Sequence, residues 1–346
     1  MINTAGIKKV LISRSDAIGD VMLALPLAGL LKEMLGKDIQ VAFLGRTYTY
    51  DVINVCEHVD EFYNYDSFKN FDARGRISFL REINADVILH VFPREDIASA
   101  ARQAGIPFRV GTTHRLYHIW NCNQLVSFSR KNSSYHESQL NTFLLKDLGL
   151  YEIPTLEKLA SLTGFTIIPV FDEKLSNRLS KNKFKLILHP GSNASAREWN
   201  KVHYLDLIRY LPPEKVQIII TGSENERHGM EDWLKSLPGN ALDLVGRLNL
   251  QELIAIINAS DGLIAASTGP LHIASALGKH CLGIFPPIRP MHPGRWAPIG
   301  PFAEVAVVDK SCSDCRNEPM KCHCINEVSA GQVSDRVNRW IIPDLI

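Results

Sequence analysis

"ISRSDAIGDVMLALP", residues 12–26, begins at the end of the first apolar run of the chain and opens into a helical pattern. In dinucleotide-binding domains this strand-to-helix turn carries several glycines, so that a helix N-terminus can hold a phosphate. Here Gly19 is the single glycine, and it lies between the carboxylates Asp16 and Asp20. The stretch therefore predicts the first turn of an α/β domain that presents a carboxylate where related folds bind phosphate.

The composition is that of an ordinary globular protein. The chain has 346 residues, of which 45% are hydrophobic and 22% charged, and its net charge is +1. This length allows two domains, and the charge argues against general nucleic-acid binding. We find no secretory signal and no apolar run near the roughly 20 residues that span a bilayer. With seven cysteines, an odd number, we expect a cytoplasmic protein without a disulfide framework.

Apolar runs and helical patterns alternate in two series, one in each half of the chain. Continuously apolar runs, typical of buried parallel strands, lie at 9–13, 39–45, 85–91, 184–190, 216–222, 242–246 and 261–267. Helical spacing is found at 27–35, 76–84, 136–148, 202–211, 225–237, 250–259 and 331–342. Pro26 should bend or delay the first helix. We expect two doubly wound α/β domains, 1–160 and 161–346, that face each other across a cleft.

The segment "AASTGPLHIASALGK", 265–279, predicts a helix start that can hold an anion. Ser267 or Thr268 can cap the helix, and Pro270 suits its first turn. The free amides and the helix dipole at that end favour a diphosphate, and His272 falls in the same turn. A capped helix with a solvent-facing histidine is the alternative.

A second loop, "HPGSNASAREWN" at 189–200, also follows a predicted strand. Its small residues, Gly191 and Ser192 among them, let backbone amides approach a phosphate closely. Arg197 could neutralise diphosphate charge with several donors. A plain turn with a surface cation is the alternative.

A third loop, "TGSENER" at 221–227, offers Glu224 and Glu226 after a strand that ends in glycine. A carboxylate in this place can accept hydrogen bonds from ribose hydroxyls, although an acid in the first turn of a helix is already favoured by the dipole. We expect the three loops to face one crevice, because each follows the carboxyl end of a strand. Together they favour a nucleotide-diphosphate site.

In chain order, "RSDAIGDVMLALP", "HPGSNASAREW" and "STGPLHIASALGK" resemble glycosyltransferase family 9, the heptosyltransferases of lipopolysaccharide assembly. The resemblance implies a GT-B architecture with two Rossmann-like domains. It also implies inverting sugar transfer, without a metal ion or cofactor, from a nucleotide-diphosphate donor, which is ADP-heptose in the best-known members. The donor is expected on the C-terminal domain. A lipid-linked saccharide acceptor is expected on the N-terminal one, with peripheral contact with the inner-membrane surface and no nucleic-acid partner.

Carried over position by position, the resemblance makes Asp20 the general base, and Gly19 the glycine whose tight turn aims it. Arg197 stands where the family has a lysine that contacts donor phosphate. Glu226, or Glu224 if the loop alignment shifts, matches the ribose-side acid. The candidate residues are catalytic Asp20 and Arg197; donor-binding Gly191, Ser192, Glu226, Ser267, Thr268, Gly269 and His272; and acceptor-binding Arg14, Gly19 and Arg115.

Three of these positions carry specific expectations. Near a helix start Asp20 should stay ionised and act as a weak base, because the dipole favours its charge; a helix cap is the alternative. Asp16 is expected to orient Arg14 or the acceptor. Ser267 stands where the family has an aspartate that helps to hold the donor, which leaves the sugar and the nucleotide open.

A basic stretch and a cluster of cysteines lie outside these motifs. The stretch 97–136 carries several arginines and no acid, which suits a phosphorylated or carboxylated acceptor as well as a solvated surface. Within it, Tyr117 and Trp120 are predicted to be core residues, with a membrane interface as the alternative. Near the end of the chain lies a cluster of four cysteines, Cys312, Cys315, Cys322 and Cys324. Four thiolates are enough to bind a structural zinc ion, although reduced thiols without a metal are the simpler interpretation.

Two further function classes stay open at this point. One is a nucleotide-sugar-binding or assembly protein that has lost catalysis. The other is a GT-B-like sugar-nucleotide epimerase, which would consume the donor without an acceptor. Asp20→Asn tests the first class, because an enzyme should lose turnover and keep its affinity for the donor, whereas a binding protein has no turnover to lose. Release of nucleotide diphosphate only in the presence of a glycolipid would exclude the epimerase.

Overall fold

The computed structural model describes residues 2–131, 133–171, 173–289, 291–312 and 322–341. Between Ile167 and Ile168 the chain divides into two compact units, called here the first and the second unit. The first unit ends there because Phe165 forms an antiparallel bridge with Cys56 and the Ile167 amide donates to the Val55 carbonyl.

The first unit contains a parallel sheet of six strands. These are β1 (Lys9–Ser13), β2 (Gln40–Gly45), β3 (Glu61–Asn64), β4 (Val87–His90), β5 (Phe108–Thr112) and β6 (Gln124–Val126). Their order across the sheet is β3-β2-β1-β4-β5-β6. The helices are α1 (Ile18–Met22), α2 (Pro26–Leu35), α3 (Tyr50–Asn54), α4 (Tyr65–Asn70), α5 (Ala73–Ile83), α6 (Glu95–Ala104), α7 (Leu116–Asn121), α8 (Glu137–Thr142) and α9 (Leu156–Ser161).

Strand β1 lies inside this sheet because its apolar residues are buried on both faces. Val10, Leu11 and Ile12 are fully buried and pair with β2 on one side and β4 on the other. The predicted strands at 9–13, 39–45 and 85–91 are confirmed, whereas β3, β5 and β6 were not predicted. These three strands lack the continuous apolar run that marked the others, and in the structure they carry half-buried residues.

Pro26 divides the first helix as predicted. Helix α1 ends at Met22, and α2 begins at Pro26 after an intervening turn, where the missing amide of proline costs no hydrogen bond. Gly19 is the second residue of α1. The tight turn expected at Gly19 is therefore replaced by the first turn of a helix.

The second unit contains another parallel sheet of six strands. These are β7 (Phe184–His189), β8 (Val216–Ile220), β9 (Leu242–Asp243), β10 (Gly262–Ala265), β11 (His280–Ile284) and β12 (Ala303–Ala306). Their order is β12-β11-β10-β7-β8-β9. The helices are α10 (Glu173–Ser176), α11 (Lys201–Tyr210), α12 (Glu224–His228), α13 (Glu231–Lys235), α14 (Leu250–Ala259), α15 (Gly269–Ala276), α16 (Pro293–Trp296) and α17 (Ala330–Ile341).

The predicted strands of this half are confirmed, and one predicted helix is wrong. The segment 225–237 forms two short helices instead of one, because α12 ends before Gly229, whose amide closes the helix on the Glu226 carbonyl. Strands β11 and β12 were not predicted, since Gly283 and Glu304 interrupt their apolar runs.

The last helix, α17, packs against α11 in the second unit. Val333, Val337 and Trp340 of α17 join the same buried cluster as Trp199 and Tyr204. None of the helices in the described ranges combines the length and the apolar character that crossing a bilayer requires.

Candidate active site

Arg14 is the centre of a buried polar network directly after β1. Its Nε and Nη2 donate to the two carboxylate oxygens of Asp16 at 2.9 and 3.1 Å, and Nη2 also donates to Asp20 Oδ1 at 2.5 Å. Nη1 donates to Glu137 Oε1 at 3.2 Å and to Asn141 Oδ1 at 3.0 Å. A guanidinium has five N–H donors, so these five bonds use its whole capacity.

The partners of Arg14 come from two elements that the fold brings together. Asp20 lies in the first turn of α1, whereas Glu137 and Asn141 lie four residues apart on the chain, which places them on one side of the helical turns that begin at α8. Arg130 completes the network by donating to Glu137 Oε1 at 3.1 Å and to Asn141 Oδ1 at 2.9 Å. Two guanidiniums thus hold three carboxylates around a buried centre.

This network sets the charge state of its members. Burial by itself would lower the pKa of Arg14, but the carboxylates of Asp16, Glu137 and Asp20 raise it above its ordinary value. Burial raises the pKa of Asp20 to about 6, against the attraction of Arg14 and with the repulsion of Asp16 and Glu137. The carboxylate of Asp20 is therefore more basic than expected, because burial, Asp16 and Glu137 together outweigh the attraction of Arg14.

Asp20 keeps one oxygen available for chemistry. Oδ1 accepts from Arg14, while Oδ2 accepts no hydrogen bond from any residue in the described ranges, and the side chain is 24% exposed. Ala17, not Asp20, is the N-cap of α1, so the alternative of a helix cap is wrong. A largely buried carboxylate with a pKa of about 6 and an open oxygen can take a proton from a hydroxyl group.

The predicted acceptor residues do not all lie in this network. Arg14 is inside it, with its donors already bonded to protein, so it acts here by holding Asp20. Asp16 orients Arg14, as expected. Arg115 is exposed at the N-cap of α7, after β5 and two strands away from β1 in the sheet. A contact of Arg115 with an acceptor stays a prediction.

In the second unit, the three predicted loops follow β10, β7 and β8, which are neighbours in the sheet. Parallel strands end at the same edge, so the loops lie side by side. Thr268 is the N-cap of α15 and is buried, and its hydroxyl has no hydrogen-bond partner among the described residues. Ser267 is half-buried beside it. An unused hydroxyl and the free amides that begin at Gly269 form the anion-binding end that the sequence predicts.

His272 lies in the first turn of α15 and is 4% exposed, so the alternative of a solvent-facing histidine is wrong. Arg197 is also buried, at 5% exposed, in the loop after β7. The alternative of a surface cation is therefore wrong too. Their contacts with a donor stay predictions.

Glu226 ties two of the loops together. Its Oε1 accepts from the Asn193 amide at 2.8 Å, and its Oε2 accepts from the amide and hydroxyl of Ser223 at 2.7 and 2.9 Å. A Cβ added to Gly191 would lie 2.4 Å from Oε1. Gly191 is therefore required by a close approach of protein to protein, and both oxygens of Glu226 are occupied.

Other residues of these loops make local contacts, and the donor-binding role predicted for Ser192 stays a prediction. Asn193 and Ala194 adopt positive φ angles of 45° and 60°. Ser192 donates from its amide and its hydroxyl to Glu198, both at 2.9 Å. Glu224 is exposed, so the ribose-side role predicted for Glu226 or Glu224 stays a prediction.

Three of the four late cysteines fall in the described ranges. Cys322 and Cys324 are buried, and Cys312 packs against the same core. Burial raises the pKa of Cys324 to about 11, and a hydrogen bond with Cys312 adds to the rise. Cys315 lies outside the described residues. Among those that are described, no group of three His, Cys, Asp or Glu side chains is arranged to hold a metal ion.

Sequence reasoning missed Glu137, Asn141 and Arg130 as parts of the site. The signal that could have found Glu137 and Asn141 is "HESQLN", 136–141, directly after an acid-free stretch. The two residues are four positions apart, which places them on one face of a helix. Their partner Arg14 lies more than 120 residues earlier in the chain. Arg14 contacts these two residues only once the first unit has folded.

Comparison with known proteins places this geometry in context. A model of glycosyltransferase family 9 (heptosyltransferase) matches residues 79–326. A Haemophilus influenzae protein assigned as a glycosyltransferase is 28% identical over 323 residues, 89% of each chain. Lipopolysaccharide heptosyltransferase 2 from Salmonella typhimurium is 24% identical over 106 residues, which are 29% of this chain and 30% of that protein.

Solved structures agree on the fold. A glycosyltransferase family 9 protein from Veillonella parvula aligns with a TM-score of 0.81 at 16% identity over 99% of each chain. The ADP-heptose lps heptosyltransferase II of Escherichia coli aligns with a TM-score of 0.76 at 18% identity, over 98% of this chain and 100% of that one. The fold is thus of the GT-B class with two Rossmann-like domains, as the resemblance implies.

Proposed function

Because the chain belongs to glycosyltransferase family 9, the heptosyltransferase family, we propose that it transfers heptose from ADP-heptose to a lipopolysaccharide-core or related glycolipid acceptor. The transfer inverts the anomeric centre and uses neither a metal ion nor a cofactor. The relatives named as lipopolysaccharide or ADP-heptose heptosyltransferases support this choice of donor and acceptor. The observation that carries the proposal is Asp20, whose pKa of about 6 and open oxygen suit a general base.

The proposed step moves one proton and one glycosyl group. The acceptor hydroxyl oxygen forms a bond to the anomeric carbon as its proton passes to Asp20 Oδ2. The bond from the anomeric carbon to the diphosphate oxygen breaks, and its electron pair leaves with the nucleoside diphosphate. Arg14 holds Asp20 by its other oxygen throughout, so the base does not have to be positioned during the reaction.

The departing diphosphate gains negative charge, which fixed donors in the second unit would stabilise. Arg197, the Thr268 hydroxyl and the amides at the start of α15 supply positive charge and hydrogen-bond donors for this purpose. The Thr268 hydroxyl supports this assignment best, because it is buried without a partner among the described residues. A buried hydroxyl is unfavourable unless a ligand or a water satisfies it.

A glycolipid acceptor lies in a bilayer, so the enzyme would meet the inner face of the cytoplasmic membrane from the water side. The stretch 97–136, with arginines and no acids, is the part of the first unit suited to acidic groups of such an acceptor.

The test is Asp20→Asn, with the exposed Asp38→Asn as the matched control. Turnover of ADP-heptose with a glycolipid acceptor should fall about a hundredfold or more in Asp20→Asn and stay unchanged in Asp38→Asn. The rise in melting temperature on adding ADP-heptose should be equal in both variants. Full turnover by Asp20→Asn would overturn the assignment of the base.

The other function classes give different results in the same assay. A binding protein without catalysis would show stabilisation by the donor but no turnover in the wild type. An epimerase would consume the donor without acceptor. Stabilisation by a UDP- or GDP-sugar in place of ADP-heptose would keep the reaction class and change the donor.

A further inference from the structure

Helix α7 turns its large apolar side chains toward solvent. Leu116, Ile119 and Trp120 are 72%, 49% and 68% exposed, whereas His118 between them is fully buried. The usual arrangement in a globular protein is the reverse, with apolar residues on the packed face and the histidine outside. The prediction that Trp120 packs in the core is therefore wrong.

The buried histidine fixes this orientation. His118 Nδ1 accepts a hydrogen bond from the Thr112 amide at 3.0 Å. It packs so closely on β5 that a Cβ added to Gly111 would lie 2.5 Å from that nitrogen. With position 118 facing the sheet, positions 116 and 120 lie about 160° away from it around the helix and position 119 about 100° away, at the side.

The C-terminal end of α7 is held by side-chain hydrogen bonds. Arg102 Nη1 donates to the Trp120 carbonyl at 2.9 Å, and Arg109 Nε donates to the Asn121 carbonyl at 2.7 Å. Asn121 Nδ2 donates to the Tyr117 carbonyl at 2.8 Å. The exposed apolar side chains are thus presented by a built element of the fold.

The surroundings of these side chains are basic. Arg102, His114 and Arg115 are exposed next to them, and no acid occurs between 97 and 136. The α7 patch consists of Leu116, Ile119 and Trp120 with these three basic residues.

Two acids belong to α6, which packs on α7. They are Glu95 and Asp96, and both influence the ionisation of Tyr117. Asp96 is engaged by the Tyr65 hydroxyl at 2.9 Å, and Arg94 precedes the pair in the chain. Arg115 and Arg94 act on Tyr117 as well, so with Arg102 three arginines stand against these two carboxylates.

We propose that the α7 patch docks the protein on the surface of an anionic lipid bilayer. Tryptophan prefers the interface between water and hydrocarbon, and arginine binds anionic headgroups. Leu116 and Ile119 would enter the upper acyl region, as in other interfacial helices. A helix of six residues is about 9 Å long, which is too small a surface for the roughly 800 Å² that each partner buries in a stable protein complex.

This inference deepens the proposed function, since a glycolipid acceptor lies in such a bilayer, but its test contains neither donor nor acceptor. The full chain is mixed with vesicles of phosphatidylcholine, with or without phosphatidylglycerol, and binding is measured by co-sedimentation. We expect binding to the vesicles that contain phosphatidylglycerol, weakening as salt is added. Failure here would leave the sugar-transfer assay unaffected, so the two proposals fail separately.

The variant pair Leu116→Ser and Trp120→Ser, introduced together, should weaken vesicle binding at least about tenfold. The matched control is Val202→Ser with Tyr210→Ser, which removes two exposed apolar side chains from α11. Circular dichroism and the melting temperature confirm that both double variants fold.

Three results would overturn the proposal. The first is absence of binding to phosphatidylglycerol vesicles by the wild type, and the second is equal weakening in the control variant. The third is light scattering that shows a dimer dissociated by the Leu116 and Trp120 substitutions, because the α7 patch would then be an interface between copies of the chain.

Discussion

Asp20 in the first unit and Glu226 in the second are both carboxylates beyond the end of a parallel strand, and both accept hydrogen bonds. Asp20 uses one oxygen, toward a buried guanidinium, and its other oxygen has no hydrogen-bond partner in the part of the chain that the structure describes. Glu226 uses both, toward two amides and a hydroxyl. The difference shows that position at a strand end does not by itself make an acid functional. A base needs an oxygen that the protein leaves unbonded.

The two carboxylates also differ in what surrounds them. Asp20 shares Arg14 with Asp16 and Glu137, so three carboxylates face two guanidiniums, and one negative charge is in excess. Glu226 reciprocates a helix cap with Ser223 and joins two loops, which stabilises the fold. The first arrangement suits the proton acceptor that we propose, whereas the second stabilises a loop.

The largest effect is expected from Arg14→Leu. It removes the cation from a buried cluster of carboxylates and should lower the free energy of unfolding by about 3–5 kcal/mol. The control is Arg209→Leu, which removes an exposed ion pair with Asp206 and should change stability by less than about 1 kcal/mol. Urea denaturation measures both. Equal stability of the two variants would contradict a central role of Arg14.

The second largest loss of stability is expected where Gly191 approaches Glu226. Gly191→Ala places a Cβ 2.4 Å from Glu226 Oε1, so the carboxylate must leave Asn193, and the free energy of unfolding should fall by about 2 kcal/mol. Gly239→Ala is the control, because nothing lies within 4 Å of its added Cβ. A smaller loss for Gly191→Ala in a Glu226→Ala background would show that the two positions are coupled.

The pH dependence of catalysis should report Asp20. Since its pKa is about 6, the base is protonated on the acid side, and kcat/KM should fall about tenfold from about pH 7 to about pH 5. The residual activity of Asp20→Asn should lack this limb. A flat profile in the wild type over the same range would remove Asp20 from the reaction.

The smallest effects are changes in the free energy of unfolding, and we expect opposite signs for substitutions at Asp20 and at Glu226. The pKa of Asp20 is higher in the folded protein than its ordinary value of 3.8, so stability falls as the pH rises from 3.8 to about 6. Asp20→Asn should therefore raise the free energy of unfolding at about pH 7. We expect about 1 kcal/mol of the roughly 3 kcal/mol that a shift of this size allows, because the side chain is 24% exposed and solvent screens its charge. The gain should shrink toward about pH 4 as the wild-type carboxylate takes up its proton.

Glu226→Gln should have the opposite sign. It weakens the reciprocal cap with Ser223 and the bond to Asn193, so the free energy of unfolding should fall by about 1 kcal/mol. The same urea experiment at about pH 7 compares the two variants directly. Destabilisation by both would mean that Asp20, like Glu226, serves the fold first.

The resemblance to glycosyltransferase family 9 singled out Asp20 as the candidate base. The sequence by itself determined the two α/β series, the break at Pro26 and the loops after β7, β8 and β10. These features depend on local rules: apolar runs, proline geometry, turn residues and short motifs act over a few positions. The same rules did not predict the weakly apolar strands β3 and β12. Each lies at the edge of its sheet, where a strand needs less burial to form.

Only the tertiary structure decided what each candidate side chain does. Asp20 acquired its raised pKa from burial beside Arg14, Asp16 and Glu137, and Glu226 lost its free oxygens to Ser223 and Asn193. His118 went inside and Trp120 went outside because α7 has one packed face. Burial, hydrogen-bond saturation and like-charge repulsion depend on partners far apart in the chain, and those partners meet only when the chain has folded.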